Sequence, residues 1–405
     1  MATFIAYNLM ILFNTTRSMP FRHSVFVLCL LAGLSGCATS KEPKNTAPAF
    51  NFYTGSYTLN PGQTGNKGQG IVHFRLDTLG GVNAQTVLDA SIRNPSFLTL
   101  SADGRFLYAV EETGPGTDTT GHLAAYEVGK TGLRLLNRQS TLGFAPCYVT
   151  TDRANEWAFI ANYSGGIAMF PIEKNGGLLP ATDAHYAQVS GPHPRQEASH
   201  PHAAVLSPDE SFLYVPDLGA DRIWIFRVDR AAKKLVPGSP AFCPLAPASG
   251  PRHLCFHPTL PAAYVVHELN NTITPLAWDR ASGALTLLQA PVSTLPSGFS
   301  GTSYCADIHC TPNGRYLYAS NRGHDSLAGF AIDPVSGKLT PLGHYPTRGK
   351  FPRNFAITPG GDWVVVANQH TDNLTAFRIA AGGELDFRWE LAAPVTVCIQ
   401  FAREQ

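Results

Sequence analysis

The chain has 405 residues, a formal net charge of +1 and only 15% charged residues, without a basic or acidic block. This composition argues against nucleic acid as a partner, because nucleic-acid-binding chains usually carry a clustered basic surface. The 37 glycines and 31 prolines, with few candidate helices, fit many short strands joined by turns. The composition therefore favours an all-β protein.

The front of the chain resembles a bacterial lipoprotein signal. A short basic segment, Phe21-Arg22-His23, precedes an apolar run at residues 25–34, and Leu34-Ser35-Gly36 places small residues before Cys37. The apolar run is shorter than the roughly 20 residues that a membrane-spanning helix needs. We therefore predict lipid attachment at Cys37, with an uncleaved anchor as the alternative.

This interpretation divides the chain into three parts. Residues 1–36 are the predicted signal peptide, and initiation at Met19 would give that signal an ordinary length. Residues 37–50 are the predicted lipidated cysteine and polar tether, and residues 51–405 are the predicted folded domain. A chain anchored in this way lies in the bacterial cell envelope, faces the periplasm and is held to the membrane by its lipid. We expect the folded domain to be a monomer.

The folded domain is organised around residues 250–271. Two apolar runs of strand length, residues 254–256 and 262–266, flank a Pro-bounded turn and predict an antiparallel hairpin. The two outer ends of such a hairpin lie side by side. These ends carry Arg252, His253, His267 and Glu268. The hairpin therefore predicts a rim on which arginine, histidine and glutamate meet.

The same hairpin recurs along the chain. Its copies are about 50 residues apart, which is the spacing of four-stranded propeller blades rather than of helical solenoids. The first strands are predicted to start at Pro95, Pro146, Pro201, Pro251, Cys305 and Pro352. Third strands, turns and fourth strands follow, which completes the pattern of a β-propeller blade.

A seventh blade is divided between the two ends of the chain. Residues 394–401 have the form of a first strand without a hairpin partner, whereas residues 51–58 resemble a second strand and residues 70–77 a third. Pairing of these segments closes the ring and leaves no open sheet edge. We therefore predict one all-β domain, a seven-bladed β-propeller closed by its N- and C-terminal strands.

The repeat also predicts which side chains face one mouth of the central channel. At the start of the innermost strands stand Ser96, Cys147, His202, Arg252, Ala306, Arg353 and Val395. The second strands end in Glu111-Glu112, Asn162-Tyr163, Asp217-Leu218, His267-Glu268, Asn321-Arg322 and Asn368-Gln369. Both sets differ from blade to blade and are mostly polar, which indicates an asymmetric pocket.

A structural explanation competes with this functional one. Polar residues at blade ends also cap strands and hold channel water. For His253, Asp307 and His309, which fall within innermost strands, hydrogen bonding between blades is as good an explanation as function.

The cysteines do not indicate a metal site. Six of the eight lie beyond the predicted signal and lipid site, and none has the C-x-x-C or Cys/His spacing of zinc ligands. We expect buried free thiols, although an oxidising compartment would permit a disulfide.

Four motifs on this repeat resemble those of the lactonase family of seven-bladed β-propellers. They are G-P-R-H-x-x-F-H-P, H-E-L-N-N, A-D-I-H-x-T-P-x-G-R-x-L-Y and P-R-N-F, and the similarity covers residues 51–405. The family includes propeller-type 6-phosphogluconolactonases and a muconate-lactonising cyclase. The resemblance implies a site without metal or cofactor that hydrolyses a small anionic sugar-acid lactone.

The resemblance also implies roles for individual residues. The catalytic set would be His202, Arg252, Glu268 and Arg322. Glu268 would activate water and His202 would protonate the leaving alkoxide. The substrate would be bound by Arg353, His253, Asp307, His309, Asn321 and Gln369. The alternatives are a cyclase that forms the lactone, and a non-catalytic anchored propeller that binds sugar acids or a protein.

The lipid site generates the first testable prediction. Replacing Cys37 by Ser removes the thiol that would carry the lipid, so the variant should leave the membrane fraction or accumulate as an unprocessed precursor. Cys29→Ser, within the apolar run of the signal, is the control and should leave attachment unchanged. The prediction fails if the wild-type chain is wholly soluble in the cytoplasm with its first residues intact.

Overall fold

The computed structural model describes residues 49–59, 64–65, 67–77 and 81–402. In this part the chain forms strands only, and no helix there could cross a membrane. The all-β prediction is confirmed. The predicted signal peptide, Cys37 and most of the predicted tether lie outside the described residues.

The strands follow one another blade by blade along the chain. Blade 1 contains β1 (Ala49–Ser56), β2 (Ile71–Asp77) and β3 (Gly81–Asp89). Blade 2 contains β4 (Leu98–Leu100), β5 (Phe106–Glu111), β6 (His122–Val128) and β7 (Leu133–Ser140). Blade 3 contains β8 (Phe144–Thr151), β9 (Trp157–Ser164), β10 (Gly166–Pro171) and β11 (Asp183–His185). Blade 4 contains β12 (Val205–Leu206), β13 (Phe212–Asp217), β14 (Arg222–Asp229) and β15 (Lys234–Pro244).

The second half repeats the pattern. Blade 5 contains β16 (Pro251–Phe256), β17 (Ala262–His267), β18 (Thr272–Trp278), β19 (Leu285–Leu287) and β20 (Val292–Ser293). Blade 6 contains β21 (Tyr304–Cys310), β22 (Tyr316–Arg322), β23 (Ser326–Ile332) and β24 (Leu339–Pro346). Blade 7 contains β25 (Pro352–Ile357), β26 (Trp363–Asn368), β27 (Asn373–Ile379) and β28 (Leu385–Ala392). The last strand, β29 (Thr396–Phe401), returns to blade 1.

The ring closes as the sequence predicts. Blade 1 has the strand order β29-β1-β2-β3, so its innermost strand comes from the C-terminal end of the chain. The antiparallel register pairs Phe52 with Phe401 and Thr54 with Ile399. The rings of Phe52 and Phe401 also pack together, with their centroids 5.4 Å apart. A seven-bladed propeller closed in one blade is thereby confirmed.

The hydrophobic core lies between neighbouring blades. One cluster joins Val266 and Tyr264 of blade 5 to Ile308 and Phe330 of blade 6, all of them buried. Equivalent clusters occur around the ring because each second and third strand has apolar residues on both faces. Each blade is therefore stabilised by its neighbours, as expected where a single sheet cannot bury both of its faces alone.

A repeated tyrosine connects the outer parts of the blades. The hydroxyl of Tyr264 donates to the Gly337 carbonyl of the next blade at 2.7 Å, and Tyr214 does the same to Gly283. Gly283 has φ 76°, and a Cβ there would lie 2.6 Å from Phe212. Glycine therefore allows both the turn and the close contact between blades.

Two innermost strands are shorter than the repeat predicts. The sequence places their starts at Pro95 and Pro201, but β4 begins at Leu98 and β12 at Val205. Pro201 makes only an isolated bridge to Asp217. In blade 2, the N–H of Ser96 donates to the Asn94 carbonyl at 2.7 Å, so the chain forms a tight turn at this point and the strand begins a few residues later.

Ring closure generates the second prediction. Deleting residues 394–405 removes β29 and leaves β1 without its inner partner, which exposes a strand edge and the apolar face around Phe52. We expect a lower melting temperature and aggregates on size-exclusion chromatography. Deleting only residues 403–405, which follow the last paired residue, is the control. A monomeric truncated chain with unchanged melting would argue against closure by β29.

Candidate functional site

Several polar side chains meet at the end of the ring where the innermost strands begin. There β8, β16 and β25 each contain a bulge that leaves one residue outside the ladder. These residues are Cys147, Arg252 and Arg353. A bulge redirects the side chain of its extra residue, so each blade can present a side chain that a regular strand would turn elsewhere.

One carboxylate, Glu268, holds three arginines. Its Oε1 accepts from Nη2 of Arg195 at 2.7 Å. Its Oε2 accepts from Nε of Arg252 at 2.9 Å and from Nη2 of Arg322 at 2.7 Å. Arg252 and Arg322 also donate to the carbonyls of Ala306 and Cys305, at 2.6 Å and 2.9 Å. We call Glu268 with these three arginines the arginine cluster.

The arginine cluster carries excess positive charge in a buried place. Glu268 is 3% exposed and Arg252 2%. Burial would raise the pKa of Glu268, but Arg322, Arg252 and Arg195 outweigh it and lower that pKa to about 2. Burial together with the charges of Arg322 and Arg353 lowers the pKa of Arg252 to about 10. The cluster is therefore suited to receive a further anion.

Arg353 has its guanidinium free to bind such an anion. It lies over the ring of Tyr57, 5.6 Å from the centroid, and no described residue forms a hydrogen bond or ion pair with it. The Tyr57 hydroxyl donates to Glu112, 3.1 Å and 3.0 Å from the two carboxylate oxygens. Burial opposes the charge of Arg353, but Tyr57 and Glu112 raise its pKa. Arg322 adds a second donor, since its Nε is buried without a partner.

His202 also lacks a hydrogen-bond partner for its side chain within the described part of the chain. The imidazole is 5% exposed, its Nδ1 is buried and unpartnered, and it packs edge-on against Tyr163 and His253. Burial, followed by the charges of Arg252 and His253, lowers its pKa well below the usual value. The ring is therefore neutral at pH 7 and can accept a proton.

His253 and Asp307 form an inner pair behind the arginine cluster. Nδ1 of His253 lies 2.7 Å from Oδ1 of Asp307, and its Nε2 lies 3.1 Å from Nη1 of Arg252. Burial and Arg252 lower the pKa of His253 to about 4, so the ring is neutral and its contact with Asp307 is a hydrogen bond that the ring donates. Nδ1 then donates, Nε2 accepts from Arg252, and the pair orients that guanidinium.

The other predicted binding residues lie in different surroundings. His309 contacts Asp307 from the far side at 3.0 Å, and its 40% exposed side chain faces a pocket beyond the other ends of the innermost strands. Asn321 is fully buried and bonded to Thr294, so it has no free group for a substrate. Gln369 keeps a buried Oε1 without a partner and stays a candidate.

Arg195 is the residue that the sequence analysis missed. It belongs to the segment between β11 and β12, and besides Glu268 it contacts Tyr163 and lies over the ring of Tyr304 at 5.5 Å. This segment lies outside the aligned strands, so the repeat could not place it. The available signal was its length and its polar composition, H-P-R-Q-E at 193–197.

Among the described residues, no group of acidic, histidine and cysteine side chains could hold a metal ion.

The charge balance of the cluster generates the third prediction. Glu268→Gln leaves three buried or half-buried arginines without their anion, and breaking such a buried pair costs about 3 to 5 kcal/mol. Glu112→Gln is the matched control, because Glu112 is held only by one tyrosine hydroxyl, and it should cost about 1 kcal/mol. Urea unfolding measures both, and equal losses in the two variants would contradict the assigned geometry.

The pH dependence of stability separates the contribution of two buried histidines from that of Glu268. The pKa values of His253 and His267 fall from 6.5 to about 4 and about 3 on folding. Only the unfolded chain binds these protons just below pH 6.5, so stability should decrease as the pH falls from 6.5 to about 3. Glu268 adds stability above pH 4.5 that is lost as the pH falls from 4.5 through about 2. Glu268→Gln should reduce this second loss and keep the first, because Asp307 and Asp103, whose pKa values are also lowered, still contribute to the second.

Comparisons with known proteins agree with the fold. A family model described as "Lactonase, 7-bladed beta-propeller" matches residues 51–401. A protein of Bacillus subtilis named 6-phosphogluconolactonase is 34% identical, over 87% of this chain and 98% of its own length.

Solved structures are similar over the same range. A periplasmic gluconolactonase of Pseudomonas aeruginosa has a TM-score of 0.81 and 33% identity, covering 88% of this chain and 99% of its own. A putative 6-phosphogluconolactonase of Bacteroides fragilis has a TM-score of 0.79 and 35% identity, covering 89% and 100%. The resemblance inferred from the motifs is confirmed: the chain belongs to the lactonase family of seven-bladed β-propellers.

Proposed function

We propose that the protein is a lactone hydrolase that opens an anionic sugar-acid lactone at the channel mouth beside the arginine cluster. The observation that carries the proposal is the convergence of four arginines on a place where a neutral histidine has no partner. Relatives named 6-phosphogluconolactonase, 34% identical over most of the chain, support the reaction class.

The anion of the substrate would bind first to Arg353. This guanidinium is held by stacking on Tyr57, so its N–H groups are available for a phosphate or carboxylate. Arg322 supplies its unpartnered Nε, and Arg195, with a 39% exposed side chain, can turn from Glu268 to the ligand. Each charge-assisted contact of this kind contributes about 1.5 to 3 kcal/mol.

His202 would act as the base. Its neutral imidazole takes a proton from water as the water oxygen attacks the lactone carbonyl, and the arginines stabilise the negative oxygen that develops. The resulting imidazolium then gives its proton to the ring oxygen as the C–O bond breaks. The step consumes one water and yields one hydroxy acid, with no other reactant.

Glu268 would organise the arginines rather than take the proton. A carboxylate with a pKa of about 2 is a weak base, because general-base catalysis works best when the pKa lies near the working pH. This differs from the sequence hypothesis, in which Glu268 activates water and His202 acts as the acid. Burial and nearby positive charges lower the pKa of His202, so it starts the cycle without a proton, and the negative charge of a bound substrate would raise its affinity for one.

The place of action and the substrate range complete the proposal. Lipid attachment at Cys37 would hold a monomeric propeller in the cell envelope, facing the periplasm, where it meets lactones outside the cytoplasm. The test panel should therefore include neutral gluconolactone, 6-phosphogluconolactone and a lactone that carries a carboxylate. The charge on the cluster predicts the highest kcat/KM for the anionic members.

Kinetics of two variants test the division of roles. His202→Asn keeps a polar side chain but removes the proton acceptor, so kcat should fall by about 10² to 10⁴ with little change in KM. Arg353→Gln removes an anion contact, so KM for the anionic lactone should rise about 10- to 100-fold. Arg353→Gln should lower kcat/KM much less for the neutral lactone than for the anionic one. Spontaneous hydrolysis is measured in parallel and subtracted.

Controls and contrary outcomes separate the alternatives. Arg378→Gln on β27 of the same blade and His344→Asn on β24 replace like residues elsewhere and should match the wild type. If His202→Asn retains turnover while folded Glu268→Gln loses it, Glu268 is the base. If anionic lactones bind but none is consumed, the protein is better described as an anchored binding protein. If an unsaturated diacid is converted to a lactone instead, the protein is better described as a cyclase.

A further inference from the structure

Two thiols face each other near the opposite end of the channel. Sγ of Cys255 and Sγ of Cys310 lie 3.6 Å apart. Cys255 lies on β16 and Cys310 on β21, which are the innermost strands of blades 5 and 6. The two strands are therefore in different sheets, and the thiols meet across the boundary between blades.

The pair is distinct from the other thiols of the described residues. Cys147, Cys243, Cys305 and Cys398 are buried, and their sulfurs contact backbone or oxygen groups rather than another sulfur. Cys255 and Cys310 are only partly buried. Geometry therefore selects this pair for chemistry between two sulfurs, out of the six free thiols.

The pair is accessible from solvent. Cys255 lines a pocket of about 390 Å³ together with His309 and Ser207, and Cys310 borders a neighbouring pocket with His309 and Phe401. Apart from His253, the lining residues of both pockets belong to the later parts of the innermost strands and to the turns that follow them, on the far side from the arginine cluster. A small reagent can therefore reach the thiols without passing the proposed active site.

We propose that Cys255 and Cys310 form a disulfide that joins blades 5 and 6 when the chain meets a disulfide oxidant. The thiolate of one cysteine attacks the oxidant and releases one thiol, and the second thiolate then attacks the mixed disulfide and releases the other. One S–S bond forms in the protein and one breaks in the oxidant. Two protons and two electrons pass to the oxidant, which becomes two thiols.

His309 assists this exchange. It precedes Cys310 in the chain and interacts electrostatically with Cys255. Burial opposes protonation of the ring, but Asp307 outweighs burial and raises the pKa of His309. When this ring is protonated, its positive charge lies near Cys255, whereas burial and Cys255 raise the pKa of Cys310. The first attack on the oxidant is therefore expected from Cys255.

The disulfide would strengthen the framework behind the arginine cluster. β16 carries Arg252 and His253, and β21 carries Asp307, so the bond links the two strands that form the inner pair. The cysteines are 55 residues apart, and closing a loop of this length restricts the unfolded chain. The signal predicted at the front of the chain would deliver the protein to a compartment where such bonds persist.

The test uses the full chain, purified under reducing conditions and then treated with oxidised glutathione. The wild type should lose two titratable thiols and the mass of two hydrogen atoms, and peptides containing Cys255 and Cys310 should be linked. Its melting temperature should rise by about 3 to 6 °C and return to the starting value with dithiothreitol. Lactone hydrolysis at 25 °C should stay unchanged, since the bond lies away from the mouth.

Three variants decide between outcomes. Cys243→Ser, a buried thiol in blade 4, should behave as the wild type does. Cys255→Ser and Cys310→Ser should each gain one glutathione or none, without any rise in melting temperature. The proposal is overturned if the wild type keeps all its thiols, gains two separate glutathione groups, or links a different pair. Because thiol counting, peptide mapping and melting use no lactone, failure in these measurements would leave the proposed hydrolysis unaffected.

Discussion

The pairing of β1 with β29 is the constraint on which the rest of the molecule depends. No blade can bury both of its faces alone, so each cluster of apolar side chains needs a blade on either side. A ring provides this only when it is closed, and here the last strand closes it in register with Phe52. Closure also brings the starts of the innermost strands together, and this convergence places Arg353 of blade 7 near the Arg252–Glu268 pair of blade 5.

The fold could be predicted from the sequence because its determinants are local and repeated. Each blade carries the same two-strand pattern and the same turn residues, so six copies reinforce one another. The divided blade followed from an orphan first strand at one end and an orphan second strand at the other. The short β4 and β12 could not be predicted in this way, because β16 and β25 carry the same proline and yet begin at it, so the residue pattern alone does not determine where the strand starts.

The site was predicted in part, and the limit has a physical reason. The repeat pointed to Arg252, Arg322, Arg353, Glu268 and His202 because they occupy equivalent positions at which the residues are mostly polar and differ from blade to blade. It could not supply Arg195, which comes from a connecting segment, nor the contacts that determine ionisation. Whether Glu268 is a base or an organiser depends on three arginines that meet it only in space. His253 and Asp307, 54 residues apart, likewise proved to bind each other.

The arginine cluster is electrostatically unfavourable without a ligand, and a bound anion can reduce the repulsion between its arginines. Three guanidinium groups share one carboxylate, with Arg353 nearby, and the lowered pKa of Arg252 reports their mutual repulsion in a buried place. Arg252 cannot move away, because Ala306 and the His253–Asp307 pair hold it from behind. An anionic substrate of the proposed kind, and more so the oxyanion that develops during ring opening, would add the missing negative charge while Arg252 and Arg322 keep their positions. Charge that is held in place before the reaction allows such a site to stabilise a transition state. The same buried charge lowers the stability of the folded protein.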